Sequence, residues 1–268
     1  MNGMIGAVVG DIAGSVYEFD NIKTKDFDLF ADHNGHSCGF TDDTVMTLAV
    51  ALALVAAKDD WAQLPGFADT AMHKLGTLYP DAGYGERFGM WIFLDGHVPY
   101  NSFGNGAAMR VSPVSYAAKD ISEVKYLSRL VTGITHNHPE GLKGAEAVAA
   151  CTWMALHGCR KQDISDLVSS QYYSMDFSLD EIRPTYSFNE TCQDTVPQAI
   201  AAFLELSDFV DAIKNAISIG GDSDTLACIT GAIAGAYYGV PADVSQKALQ
   251  ILDPRLRTIL EAFEKAFS

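Results

Sequence analysis

The chain has 268 residues, 48% of them hydrophobic, which suits a folded globular chain with a sizeable core and excludes disorder. Its 18 Lys plus Arg against 34 Asp plus Glu give a formal net charge of −16, which disfavours a broad nucleic-acid-binding surface and an anionic membrane while leaving room for one local basic pocket. The cysteines, at positions 38, 151, 159, 192 and 228, are odd in number and form no CxxC pair, so no disulfide framework is expected and a reducing, cytoplasmic setting fits best.

The opening MNGMIGAVVGDIAGS is apolar but lacks a basic leader and is interrupted by Asp11, so it does not read as a signal peptide. It reads as a helix over residues 4–19. Gly6, Gly10 and Gly14 recur at four-residue spacing on one face, where another helix could approach closely, and Asp11 and Glu18 fall on roughly one face. Residues 20–41 are irregular. The stretch GFTDDTVMTLAVALALV then sets Asp42 and Asp43 directly before an uncharged apolar run, residues 44–57. At ~1.5 Å per residue that run falls short of a bilayer of roughly 30 Å, so it is a core helix.

YPDAGYGERFGMW, residues 79–91, reads as a glycine-broken aromatic loop, either a surface turn between helices or a ligand-facing loop. NSFGNGAAMR, residues 101–110, is a Gly/Asn/Ser-rich loop running into a helix-compatible segment. It is either an ordinary turn or a cradle whose amides face an anion such as a diphosphate. In THNHPEG, His136 and His138 have no Cys or further His nearby to complete a metal set, which leaves ligand contact or helix-start hydrogen bonding.

Residues 141–157 form an Ala-rich helix with Gly158 placed to end it, and residues 175–196 are again irregular. Phe209, Val210, Ile213 and Ile217 make a helical stripe that stops at Gly220 and Gly221. SIGGDSDTLACITGAIAG then places Asp222 and Asp224 where another apolar helix begins. Near the C-terminus Asp253 and Pro254 supply an N-cap and first-turn residue for Leu256, Ile259, Leu260 and Phe263. Period-two alternation is scarce and no βαβ rhythm or linker appears. The expected fold is therefore all-α, a compact orthogonal multi-helix single domain over residues 1–268.

An aspartate or threonine before a helix is ordinarily a cap. Capping needs one carboxylate per helix, and each of these motifs supplies two. Adjacent acids repel unless solvent or a cation compensates. With their threonines they form a hard oxygen donor set that favours Mg²⁺, Mn²⁺ or Ca²⁺ over Zn²⁺. Neither a D-x-D-x-T/V dehalogenase motif nor an EF-hand loop is matched.

Taken in order, G-D-x-x-G-S-x-Y-E-F, F-T-D-D-T, G-N-G-A-A-M-R, T-H-x-H-P and G-G-D-S-D-T resemble the ADP-ribosylglycohydrolase family, including the dinitrogenase reductase-activating glycohydrolases, from residue 5 to about 238. The resemblance implies an all-α fold with a binuclear site at helix N-termini, holding two Mg²⁺ or Mn²⁺. It implies hydrolysis of the glycosidic bond between ADP-ribose and a protein side chain or small acceptor. It assigns Thr41, Asp42, Asp43, Asp222, Asp224 and Thr225 to the metals, and Glu18 with Asp42 to catalysis. It assigns Ser102, Phe103, Gly104, Asn105, Gly106 and His136, with Tyr84 and Gly85 more loosely, to substrate. The expected partner is an ADP-ribosylated protein or small molecule, with no membrane and a monomeric chain favoured. Arginine is favoured over serine as acceptor because Asp26, Asp28 and Asp32 could attract a guanidinium. Two other readings stand: a non-catalytic, crystallin-like or ADP-ribose-binding protein, and a metal-dependent phosphoesterase acting on a nucleotide diphosphate.

Overall fold

The structure, a computed structural model, describes residues 3–58, 60–93 and 97–267. They form helices α1 (Ile5–Gly14), α2 (Asp42–Ala57), α3 (Leu64–Leu78), α4 (Glu86–Phe93), α5 (Gly106–Met109), α6 (Pro113–Ala117), α7 (Ile121–Thr132) and α8 (Pro139–Leu156). The second half adds α9 (Lys161–Gln171), α10 (Leu179–Ile182), α11 (Cys192–Glu205), α12 (Phe209–Ser218), α13 (Ser223–Tyr238), α14 (Ala242–Ile251) and α15 (Pro254–Ala266). Among the described residues there is no sheet, only two isolated bridges, so the all-α reading holds. No helix among them is long and apolar enough to cross a membrane.

The centre of the molecule is α13. Every residue from Ser223 to Gly235 is buried, as a helix apolar on all sides requires, and α1, α8, α11 and α12 pack around it. The tightest of these contacts is with α1, and the glycine face read from the sequence makes it. A Cβ on Gly10 would fall inside the carbonyl group of Ala227, and one on Gly6 inside that of Gly231. On Gly14 it would stand 2.5 Å from the Asp224 Cα. The two backbones therefore touch, and no side chain larger than hydrogen fits between them.

Three sequence expectations need correction. The first helix does not run to residue 19: α1 ends at Gly14, Ser15–Tyr17 tighten into a 3-10 turn, and Phe19 is exposed. Ser15 makes the break, since its hydroxyl donates to the Ile12 carbonyl (2.9 Å) and accepts from Gly39 N (3.2 Å). The loop at 79–91 becomes α4 from Glu86 onward. The irregular stretch 175–196 contains α10, opened by a reciprocal Ser178–Glu181 capping box, and the start of α11. The other predicted ends stand. Gly158 follows α8 with φ +70°, and Asp253 caps α15 by accepting from Arg255 N at 2.8 Å.

The α1–α13 contact gives the first prediction. Gly10→Ala will destabilise the fold by about 1–3 kcal/mol or more in urea unfolding, because the added methyl has no room. Gly66→Ala, in α3 with nothing within 4 Å of the new methyl, will be neutral or stabilising by up to about 1 kcal/mol. Equal effects at the two sites would refute the backbone-contact account.

Candidate active site

The α1–α13 contact sets the C-terminal end of α1 against the N-terminal end of α13, and the acidic residues gather there. Asp11, fully buried on α1, accepts from Thr41 N (3.0 Å), Thr41 Oγ1 (2.7 Å) and Thr44 N (3.1 Å). One carboxylate thus satisfies free donors at the start of α2 and complements its dipole. Asp11 ties α2 to α1 as the glycines tie α13 to α1, and so Asp42 and Asp43 come to face Asp222 and Asp224. The sequence reading gave Asp11 no such role.

Glu18 arrives from the same corner. Asn21 donates to the Tyr17 carbonyl (2.6 Å) and exchanges hydrogen bonds with Gly221, donating to its carbonyl (2.9 Å) and accepting from its N–H (2.7 Å). Gly220 and Gly221 have φ of +70° and +79°, a backbone path that only glycine follows without strain. The Glu18 segment is thereby stitched to the loop that carries Asp222. A carboxylate oxygen from each of Glu18, Asp222 and Asp224 lies within 4.8 Å of the others.

Across this group, Thr225 Oγ1 donates to Asp43 Oδ2 (3.1 Å) and Asn105 Nδ2 donates to Asp222 Oδ2 (2.7 Å). Asp43 Oδ1 is buried with no hydrogen-bond partner. Burial, then the mutual repulsion of Asp11, Asp42, Asp43, Asp222, Asp224 and Glu18, holds the carboxyls of Asp42, Asp43 and Asp224 well above their usual range. Glu18 is pushed up to about 7 by burial first, then by Asp222, Asp11 and Glu190. An orphaned acceptor among crowded acids fits a divalent cation, which would supply the missing partner and offset the charge.

The acids line a cavity of about 390 Å³. Its wall also takes in Ser102, Phe103, Gly104, Asn105, Gly106 and His136, with Glu86, Arg87, Phe88, Tyr100 and Arg110. The Ser102–Gly106 loop is held against the start of α11 by Asn105 N to the Glu190 carbonyl (2.8 Å) and Cys192 N to the Phe103 carbonyl (3.0 Å), which brings Glu190 and Thr191 to the wall. Gly85 also lines the cavity.

Two predicted residues stand elsewhere. Thr41 does not line this cavity: it is the N-cap of α2, its hydroxyl donates to Asp11 (2.7 Å) and accepts from Asp43 N (3.3 Å), and it faces a neighbouring pocket beside Phe19 and Asp20. Tyr84 lies behind the wall, its hydroxyl buried without a partner, and the flanking Gly83 and Gly85 are the residues that face in. His138 caps α8 by accepting from Glu140 N (3.1 Å), while His136 is the histidine in the cavity. Asp26, Asp28 and Asp32 line neither cavity, and Glu190 is the acid that joins Glu18.

A second cluster, Asp69, His73 and His97, also gathers ligand types. Its two imidazoles stack face to face at 3.3 Å and 14°, so their in-plane lone pairs run side by side and do not converge on one ion.

A family model described as ADP-ribosylglycohydrolase matches residues 1–267. The chain is 26% identical to the mouse ADP-ribosylhydrolase ARH3, over 88% of this chain and 83% of that protein. It is 26% identical to the ADP-ribosylarginine hydrolase Tri1 of Pseudomonas putida (strain GB-1), over 88% and 70%. A solved structure titled ADP-ribosylglycohydrolase-related protein complex superposes with a TM-score of 0.70, at 21% identity, over 100% of this chain and 97% of that one, which shows the shared fold.

The crowded carboxylates predict a pH dependence. In chelator, the folded protein still holds protons on Glu18 and its neighbours that the unfolded chain has already shed above the ordinary value of 4.5. Stability therefore falls as pH rises from about 4.5 through about 7. Glu18→Gln will flatten that slope and raise the melting temperature of the metal-free protein at pH 7. Thermal melts in EDTA that stay level or rise over this interval would contradict it.

Proposed function

The chain belongs to the ADP-ribosylglycohydrolase family, and from that premise we propose that it hydrolyses the glycosidic bond joining ADP-ribose to an acceptor, using divalent cations. The observation that carries this reading is the make-up of the cavity wall. One group on it is Glu18, Asp222 and Asp224, with carboxylate oxygens within 4.8 Å of one another, together with Asp42 and Asp43; another is Arg87, Arg110 and His136 with the small-residue loop at Ser102–Gly106. In a chain of net charge −16, two arginines on one cavity wall beside such a loop match a ligand anionic at one part. ADP-ribose is such a ligand: its diphosphate suits the arginines and the loop, and its terminal ribose would lie at the acids.

Asp42, Asp43, Asp222 and Asp224, with the Thr225 hydroxyl, would hold two Mg²⁺ or Mn²⁺. Bound there, these ions supply Lewis-acid polarisation of the ribose diol and of a water. Asp11 and Thr41 keep the α2 start in place, and the Thr41 oxygen, whose proton goes to Asp11, keeps a lone pair with which it would join the cation ligands. Glu18, raised to about 7, stands where it can take or give a proton at the scissile bond near neutral pH. Asn105 orients Asp222 and shares its loop with the diphosphate contacts, so it couples the two groups. Phe88, Phe103 and Tyr100 supply apolar wall for the nucleoside part.

For the acceptor, arginine is favoured over serine. The support is Glu190, close enough to Glu18 to help raise it, so that two carboxylates suited to a guanidinium share the cavity wall, together with the relative named ADP-ribosylarginine hydrolase.

The test is an assay of the purified protein against ADP-ribosyl-arginine, ADP-ribosyl-serine and O-acetyl-ADP-ribose, with and without Mg²⁺ or Mn²⁺. Intact ADP-ribose is the expected product, fastest from arginine. AMP would identify a phosphoesterase, and stoichiometric binding without turnover a binding protein. Asp224→Ala will abolish turnover in a protein that remains folded by circular dichroism. Glu18→Gln will lower kcat by roughly two orders of magnitude or more while ADP-ribose still binds. Unchanged kcat in Glu18→Gln would remove Glu18 from the chemistry.

A further inference from the structure

Arg110 counts among the basic residues of the cavity wall, but it is buried, and its contacts define a narrower task. It is 1% exposed, and no carboxylate lies within ion-pair distance of it among the described residues. Its Nη2 donates to Thr135 Oγ1 (2.6 Å) and to His136 Nδ1 (3.1 Å). Its Cζ lies 4.8 Å from the Phe88 ring centroid, and its Nε and Nη1 have no hydrogen-bond partner. Burying a guanidinium on so few partners is costly, so its position calls for an explanation beyond packing.

The geometry points to one. A guanidinium has donors and no acceptor. A ring nitrogen facing Nη2 at 3.1 Å must therefore present its lone pair, so Nδ1 of His136 is the unprotonated nitrogen. Thr135 Oγ1, which already accepts from Arg110, stands 2.8 Å from the same Nδ1 and 3.5 Å from the Thr132 carbonyl, so the shorter contact is the one its proton serves. Both neighbours thus ask Nδ1 to accept. Burial, with Arg110 and Arg87 nearby, holds His136 neutral, well below its ordinary range. The single ring proton then sits on Nε2. That atom faces the loop, 3.6 Å and 3.5 Å from the Cβ positions at Gly104 and Gly106.

We propose that Arg110 is a positioning residue that fixes His136 as the Nε2–H tautomer, so that a neutral, pre-oriented donor faces the anionic oxygens of a diphosphate lying along Ser102–Gly106. This rests on the ADP-ribose reading of the cavity. Without Arg110, the Thr135 hydroxyl can either donate to Nδ1 or accept from it, and the choice of tautomer is lost. With Nδ1 protonated, Nε2 would turn a lone pair toward the phosphate and repel it.

Long-range ¹H–¹⁵N correlation spectra of ¹⁵N-histidine-labelled protein at pH 7 report the tautomer, with the His136 signal identified by its loss in His136→Gln. The wild type will show Nε2–H. Arg110→Met will show a mixture with Nδ1–H, and its dissociation constant for ADP-ribose will rise about tenfold or more. Arg110→Gln keeps an N–H donor without the charge, and will restore the Nε2–H tautomer and most of the affinity. Nδ1–H or imidazolium in the wild type overturns the proposal, whether or not Arg110→Met folds. So does an unchanged tautomer in Arg110→Met, or a changed tautomer with unchanged affinity. If the wild type shows Nε2–H but binds no ADP-ribose, the proposed function fails, and with it the diphosphate role of His136, while the tautomer assignment stands.

Discussion

The structure depends on the contact between two helix backbones. Gly6, Gly10 and Gly14 of α1 lie directly on α13, and Gly14 reaches Asp224 itself. Interiors pack near crystal density, so this contact leaves no adjustable space between the helices. Everything at the site is referred to that fixed pair. Asp11 leaves α1 to hold the start of α2, Asn21 binds the segment after α1 to the loop before α13, and aspartates from two distant parts of the chain, Asp42, Asp43, Asp222 and Asp224, come to line one cavity. A fold that places acids this close must hold them rigidly, because their repulsion would otherwise spread them.

The same arrangement brings opposite charges into one cavity. Carboxylates crowd together, and burial and mutual repulsion raise Glu18 and its neighbours. Arg87 and Arg110 gather around His136, which burial and charge together keep neutral. Asn105 links the two groups, since it sits in the Ser102–Gly106 loop and donates to Asp222. Net charge says nothing of this: the sum of −16 leaves two arginines on the wall of an otherwise acidic cavity.

Much of the site was legible because its signals are local. A helix start announces itself by its cap, and two acids where one suffices announce a surplus, so Asp42, Asp43, Asp222 and Asp224 stood out in the sequence. The four-residue glycine spacing announced a close helix contact but not its partner. What could not be read depends on residues far apart in the chain. Thr41 reads as a metal ligand in the sequence, and only the fold shows that its proton goes to Asp11, thirty residues away. Glu190 lay unnoticed in a stretch without periodicity, and it enters the wall only because the Ser102–Gly106 loop bonds to it. Asp26, Asp28 and Asp32 are as acidic as the site residues but fold away from both cavities. Arg110 was visible in the G-N-G-A-A-M-R motif, yet its burial against His136 is a tertiary fact. The short α10 had a signal that went unused, the Ser178–Glu181 spacing of a capping box.

The central claim is that the two aspartate pairs, brought together by α1, form one cation site and not two independent helix caps. Mn²⁺ titration followed by electron paramagnetic resonance, on the wild type, Asp43→Ala and Asp224→Ala, tests it most directly. The account predicts two ions per chain in the wild type, and in each variant weakened binding of both, since either substitution breaks a shared set. Loss of one ion in each variant with the other held at wild-type affinity, or no Mn²⁺ bound to the wild type, would contradict it.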